Sequence, residues 1–156
     1  MANSSTQSDP AGRRPSGNWW LSFGLSLVGL GVSTYLTWVK LTGNTASCGS
    51  VGDCESVNNS RYAEIGGVPI ALFGALSYLV LLALLAMEVR RPQSAEAARL
   101  MVFGVSLIGT MYSAYLTYIE VAVLKAICPY CVVSALAITA VLILCVVRLR
   151  SADVDA

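Results

Sequence analysis

Five cysteines carry the reactive chemistry of this chain, and four of them form two pairs. Cys128-Pro129-Tyr130-Cys131 is a Cys-x-x-Cys motif at the head of an apolar run. Cys48 and Cys54, with five residues between them, lie in a stretch rich in Gly, Ser and Asn. Proline is favoured at the first helical position, where its missing N–H would have no intrahelical partner. Pro129 therefore makes Cys128 the expected helix N-cap and puts Cys131 inside the first turn. Free N–H groups and the positive end of the helix dipole favour a thiolate there. Thiol pKa values in such motifs fall from about 8.5 to roughly 3.5–7.5. A fixed, acidic pair beside a pair in a mobile loop suits electron relay by thiol–disulfide exchange, which proceeds through mixed disulfides. Two other readings use the same residues: a scaffold with two static disulfides, and a zinc site of four outer thiolates. An oxidising compartment would compete with zinc for the thiols. Cys145 sits deep in an apolar run and is expected to act as a small hydrophobe.

The elements that must position these sulfurs are read from composition. The 156 residues are 56% hydrophobic and 12% charged, with no His, and suit one domain. Residues Trp19–Val39, Val68–Met87, Leu100–Ile119 and Val132–Val147 contain no Asp, Glu, Lys or Arg. A spanning helix takes about 20 mostly apolar residues. The first three runs meet that length, and the fourth approaches it once Pro129 to Cys131 are included. None shows the polar stripe of a soluble bundle helix. The expected class is all-α, an integral membrane four-helix bundle. Seven basic residues (Arg13, Arg14, Arg90, Arg91, Arg99, Arg148, Arg150) fall on one side of the runs, and three (Lys40, Arg61, Lys125) on the other. The positive-inside rule then puts both termini in the cytoplasm. The expectation is a multi-pass protein of the cell inner membrane, its four paired cysteines on the outer face, where disulfides persist. Membrane lipid is its surroundings. A net charge of +1 with no basic patch points to no nucleic-acid partner.

In chain order, residues 1–18 read as a disordered cytoplasmic tail, 19–150 as the four-helix domain, and 151–156 as a C-terminal tail. The first run is too long for a signal-peptide core, and no A-x-A site follows it. It carries Ser22, Ser26, Gly29, Ser33 and Thr37 on one face, the kind of small-residue face that lets helices approach closely in lipid. Trp19, Trp20 and Trp38 sit near its ends, as interfacial aromatics do. The third run repeats the pattern at an offset of 80: Ser33-Thr34-Tyr35-Leu36-Thr37 matches Ser113-Ala114-Tyr115-Leu116-Thr117, Gly29 matches Gly109, and Cys48 matches Cys128. Residues 41–67 form the main outer loop, expected to be mobile, with an Asn-x-Ser pattern at Asn58. Pro69 is placed near the first turn of the second helix. Residues 120–127 are expected to form a tight outer turn.

In combination these features resemble the bacterial vitamin K epoxide reductase family. The matching residues are the Cys48-x5-Cys54 loop, Ser60 six residues after Cys54, the Gly67-Val68-Pro69…Leu72-Phe73-Gly74 helix entry, and Cys128-Pro129-Tyr130-Cys131. The resemblance covers roughly residues 19–150. It implies a quinone, menaquinone or ubiquinone, at the outer end of the bundle, as the acceptor in disulfide bond formation. It also implies that Cys131 faces the quinone, that Cys128 pairs with Cys131 when oxidised and exchanges with Cys54, that Cys48 forms the mixed disulfide with the partner, and that Ser60 stands near the reactive sulfurs. Many relatives carry a fused thioredoxin-like domain. Here the chain stops at Ala156, so the partner is expected to be a separate thioredoxin-like periplasmic protein. The acceptor pocket is expected to include Phe73, Leu76, Tyr115 and Ala135. The animal enzymes have a Tyr where Ala135 stands and an Asn where Ile70 stands, which argues for ordinary quinone reduction rather than epoxide reduction. With no imidazole in the chain, proton transfer is left to water or Tyr62.

Overall fold

A computed structural model of the protein describes residues 17–44, 48 and 52–154. Four helices in it are long and apolar enough to cross a membrane. They are α1 (Gly17–Thr42), α3 (Ile70–Arg90), α4 (Ala95–Tyr118) and α5 (Pro129–Val154), with a short α2 (Cys54–Asn58) in the outer loop. A two-residue hairpin, β1 (Glu64–Ile65) and β2 (Val68–Pro69), leads into α3. Gly66 and Gly67 make its turn with φ of +61° and +82°, a conformation that L side chains seldom adopt. The expected all-α membrane bundle is the observed one.

α1 packs against α3 and α5, and α4 packs against the same two helices. α1 and α4, the pair related by the offset of 80, therefore stand at opposite corners. In lipid the apolar side chains gain little by leaving solvent, so close packing and interhelical hydrogen bonds decide the contacts. Ser22, Ser26, Gly29, Ser33 and Thr37 all face inward. Three of these hydroxyls are satisfied within the helix: Ser22 donates to Asn18 O, Ser26 to Ser22 O and Thr37 to Ser33 O, each at 2.8 Å. Gly29 must lack a side chain because a Cβ there would overlap the Tyr78 ring. That ring crosses the bundle and donates its hydroxyl to Ser134 O on α5 at 2.8 Å. Bonds of this type are worth about 0.6 kcal/mol on average between membrane helices. Leu81, Leu85, Val102, Ile138, Val141 and Cys145 complete the core below it.

The Arg-rich end is held by Glu88, whose Oε1 accepts from Arg99 Nε at 2.8 Å and from Arg148. This ties α3, α4 and α5 together. Cys145 lies buried beside it, with its thiol 3.5 Å from Arg99 O.

Several boundaries differ from expectation. Residues 17 and 18 already belong to α1, because nothing in Gly17-Asn18 stops a helix from starting ahead of the apolar run. The rest of the expected N-terminal tail lies outside the described residues. At the other end α5 continues through Val154, past the expected boundary at 150, since no Pro or Gly interrupts Arg148–Val154. Trp19 is not an interfacial side chain: it turns inward and donates to Leu85 O at 3.0 Å. Trp20 and Trp38 stay exposed. The expected outer turn is shorter, because α4 runs on as a π-helical segment, Ile119–Leu124, before the chain reverses.

Candidate active site

Pro129 opens α5, and Cys128 caps it. The Cys131 N–H points at the Cys128 sulfur at 3.4 Å, and the Val132 N–H donates to the Cys128 carbonyl at 3.1 Å. The sulfur thus occupies the place of an N-cap side-chain acceptor. Cys128 is fully buried, Cys131 partly so, and both are free thiols. The Cys131 thiol donates to the Cys128 sulfur and holds its pKa below the ordinary thiol value, with the Cys131 backbone N–H adding to the effect against the cost of burial. Of the two sulfurs, Cys128 is the one this geometry charges. The pairing of Cys128 with Cys131 is what the resemblance implies for the oxidised form; here the two sulfurs are not bonded to each other.

Cys48 and Cys54 are joined in a disulfide with a Cα–Cα distance of 6.0 Å. Asp53 caps α2 by accepting the Ser56 N–H at 3.0 Å; the Ser56 side chain first, and this N–H bond after it, hold its carboxyl below the usual pKa. The Asp53 N–H donates to the Ile127 carbonyl at 3.2 Å. At Gly52 the backbone lies so close to the Cys128 turn that a Cβ would meet Ile127 O at 2.6 Å and Pro129 Cδ at 2.7 Å. The second half of the loop is therefore seated on the Cys-x-x-Cys turn rather than free. Residues 45–47 and 49–51 lie outside the described residues. Seating buries Cys54, Val57 and Cys128 in one cluster, with Cys48 and Cys131 packed at its edge. Lys40 secures the far side: its Nζ donates to Asn58 O at 2.8 Å and pairs with Glu64 at 2.8 Å.

Beneath this cluster lies a cavity of about 510 Å³. Cys128 and Cys131 form part of its wall, and most of the remainder is apolar, including Ile70, Phe73, Ile108, Ala135 and Ile138. Ser60 also lines it and donates to Val57 O at 2.8 Å, fixing the turn after α2. Tyr62 reaches the same cavity. Leu76 and Tyr115, expected in the pocket, are not among its lining residues; both are about half exposed on the bundle's outer surface. Residue type did not distinguish the faces, because these helices are apolar all round.

Two site residues were not singled out from sequence. Gly52 carries no local signal, since its requirement comes from a turn far away in the chain. Glu120 had one: it is an acidic residue in an apolar stretch, eight positions before Cys128. It is buried on the cavity wall, and its Oε2 accepts the Cys128 N–H at 3.2 Å. Among the described residues no group of three or more His, Cys, Asp or Glu is arranged to hold a metal. The Cys48–Cys54 bond also occupies two of the four sulfurs that a zinc site would use.

Both cysteine pairs, Ser60 and the helix entry fall inside residues 20–146, the span that matches the model of the vitamin K epoxide reductase family. The chain belongs to the vitamin K epoxide reductase family. A relative, Thiol-disulfide oxidoreductase LTO1 of Arabidopsis thaliana, is 38% identical over 109 residues, which cover 66% of this chain and 29% of the relative. The chain thus spans less than a third of that relative's length. In this member of the vitamin K epoxide reductase family, the seated disulfide, the two free thiols and the apolar cavity lie together at one end of the bundle.

Proposed function

We propose that the protein is a membrane thiol–disulfide oxidoreductase that carries electrons from a separate thioredoxin-like periplasmic protein to a membrane quinone, menaquinone or ubiquinone, in support of disulfide bond formation. The carrying observation is the burial of Cys54 directly against Cys128 at the wall of an apolar cavity. Cys48 is the more exposed sulfur of its pair and is the one assigned to the mixed disulfide with the partner. Once the loop pair is reduced, the Cys54 thiolate attacks Cys128 of the Cys128–Cys131 disulfide, and Cys131 leaves as a thiolate. Cys48 then attacks Cys54, re-forming the loop disulfide and freeing Cys128. The end state is a loop disulfide above a dithiol, the arrangement described above.

The cavity suits a quinone: its walls are largely apolar, and its volume lies in the range of roughly 300–1,000 Å³ typical of small-ligand sites. A quinone supplies an acceptor for two electrons and two protons. Phe73 and Ala135 would flank it, with Cys131 as the facing sulfur and Ser60 closing the loop side. Tyr78, bonded to Ser134, bounds the cavity on the α3 side. The topology is both termini in the cytoplasm and both cysteine pairs on the outer side of the inner membrane, supported by seven basic residues on one side against three on the other.

The test is quinone reduction by purified protein supplied with a reduced thioredoxin-like protein. Turnover is expected in the wild type and in neither Cys128→Ala nor Cys131→Ala. Full turnover in both variants would refute the relay. Two slowly exchanging disulfides with no response to quinone would mark a static scaffold instead.

A further inference from the structure

Among the described residues, Glu120 is the one Asp, Glu, Lys or Arg lining the cavity. Its exposure is 4%, and among the described residues no cation lines the cavity to pair with it. A buried carboxylate without a cation is costly, so its presence in a largely apolar wall asks for a reason. The backbone fixes it firmly. In the π-helical segment the Glu120 carbonyl accepts the N–H groups of Lys125 and, at 3.1 Å, Ala126. Lys125 takes the left-handed conformation at φ 51° to close the turn. The segment turns Ile119 and Glu120 inward, while Thr117 and Tyr118 before them and Val121 to Val123 after them are exposed. Such π segments recur at functional sites. The carboxyl then stands beside both reactive residues: it accepts the Cys128 N–H at 3.2 Å and lies within electrostatic reach of the Cys131 thiol.

We propose that the Glu120 carboxylate is the base that takes the Cys131 thiol proton when the Cys128–Cys131 disulfide closes. The proposal deepens the relay reading and rests on it for the acceptor. Closing the disulfide forms one S–S bond and releases two electrons and two protons; a quinone takes both electrons and becomes quinol with one proton passed on by Glu120 and one drawn from solvent, which balances the proton that Cys128 gives up. Cys128, favoured as the thiolate, gives its proton to solvent. Cys131 cannot leave its proton on Cys128 while Cys128 forms the new bond, so a second base is required within reach of Cys131. Glu120 fills that place and can return the proton toward the cavity. The other titratable groups lining the cavity are Tyr62 from the outer loop, Tyr78 from α3, Tyr112 from α4, and the two cysteines themselves. On α2 and its cap, Asp53 and Glu55 are exposed, as is Lys125 on the turn. Of these groups, Glu120 is the carboxyl on the cavity wall, and its Oε2 accepts the Cys128 backbone N–H.

The test compares Glu120→Gln with the wild type in the full-length protein. Glutamine keeps an oxygen acceptor for the Cys128 N–H but cannot take a proton. Two readouts are followed: peptide-resolved iodoacetamide alkylation of Cys131 across pH, and single-turnover oxidation of the dithiol by a short-chain quinone. In the wild type Cys131 alkylation should rise in two limbs, the lower one belonging to the carboxyl. In E120Q the lower limb should vanish and dithiol oxidation should slow by about 10²–10⁴-fold, the usual worth of a positioned base. The melting temperature should not fall, because an unpaired buried acid has been removed. An alkylation profile identical to wild type would overturn the proposal. So would a slowing explained entirely by a lowered melting temperature. Should E120Q fail to fold, Glu120→Asp decides: the acid limb must persist at reduced rate, and its absence overturns the proposal. A wild type that leaves quinone unreduced, yet loses its lower alkylation limb in E120Q, would overturn the acceptor assignment and uphold the base.

Discussion

Replacing Gly52 by Ala tests whether relay depends on seating the loop upon the Cys128 turn. The added Cβ would stand 2.6 Å from the Ile127 carbonyl oxygen and 2.7 Å from Pro129 Cδ. Neither neighbour yields easily, since one is backbone and the other belongs to a ring closed on the backbone. Restoring ordinary contact requires the loop to withdraw by roughly 0.8 Å, which carries the Asp53 N–H to Ile127 bond, now 3.2 Å, out of hydrogen-bonding range. Losing that bond costs about 0.5–1.5 kcal/mol. The kinetic cost is larger, because a displacement of about 1 Å between reacting groups can slow a reaction by about 10²-fold. Cys54-to-Cys128 transfer in G52A should therefore fall by about that factor. Reduction of the Cys128–Cys131 disulfide by a small dithiol, which bypasses the loop, should proceed at the wild-type rate. The assay reduces the loop pair with a thioredoxin-like protein, quenches by alkylation at intervals, and maps the redox state of each cysteine by mass spectrometry. Transfer in G52A within two- to threefold of wild type would refute the idea that seating positions Cys54. Equal loss in both routes would indicate damage to the Cys128 turn itself.

Three further outcomes are expected. Cys48→Ala should block transfer from the protein partner while leaving dithiothreitol able to reduce Cys128–Cys131, as measured by dithiothreitol-driven quinone reduction; loss of that activity too would refute the division of labour between the pairs. Cys145→Ala should leave turnover unchanged, because its thiol is packed at the Glu88 end, remote from the cavity; a large loss would contradict its structural role. The Cys128 thiol, held down chiefly by the Cys131 hydrogen bond, should be alkylated as a thiolate at pH values below the ordinary thiol range. Cys131→Ala removes that donor, so the Cys128 alkylation midpoint should move to higher pH; an unchanged or lowered midpoint would mean that another group sets it.

The sequence by itself determined the class and the number of long apolar helices, and it marked the two cysteine pairs. Charge-free runs of spanning length leave the chain little choice but transmembrane helices, since each residue's backbone groups must be satisfied within its own segment. The serines, Gly29 and Thr37 marked the inward face of α1 because small residues repeat there at helical spacing. Pro129 announced the start of α5 and, with it, Cys128 as its cap. Tertiary structure alone decided which sulfur is buried against which, and which apolar residues line the cavity. Leu76 and Phe73 have the same character and stand on the same helix, yet only Phe73 reaches the cavity. A helix apolar on every side holds no record of its orientation, so packing against neighbours sets it. The same holds for Trp19, turned inward by the Leu85 carbonyl, and for Gly52, whose requirement comes from Ile127 and Pro129. Glu120 shows the division most clearly. Its acidity in an apolar stretch was legible, but its contact with both cysteines depends on a π-helical segment that changes the register of α4 just before the chain turns back.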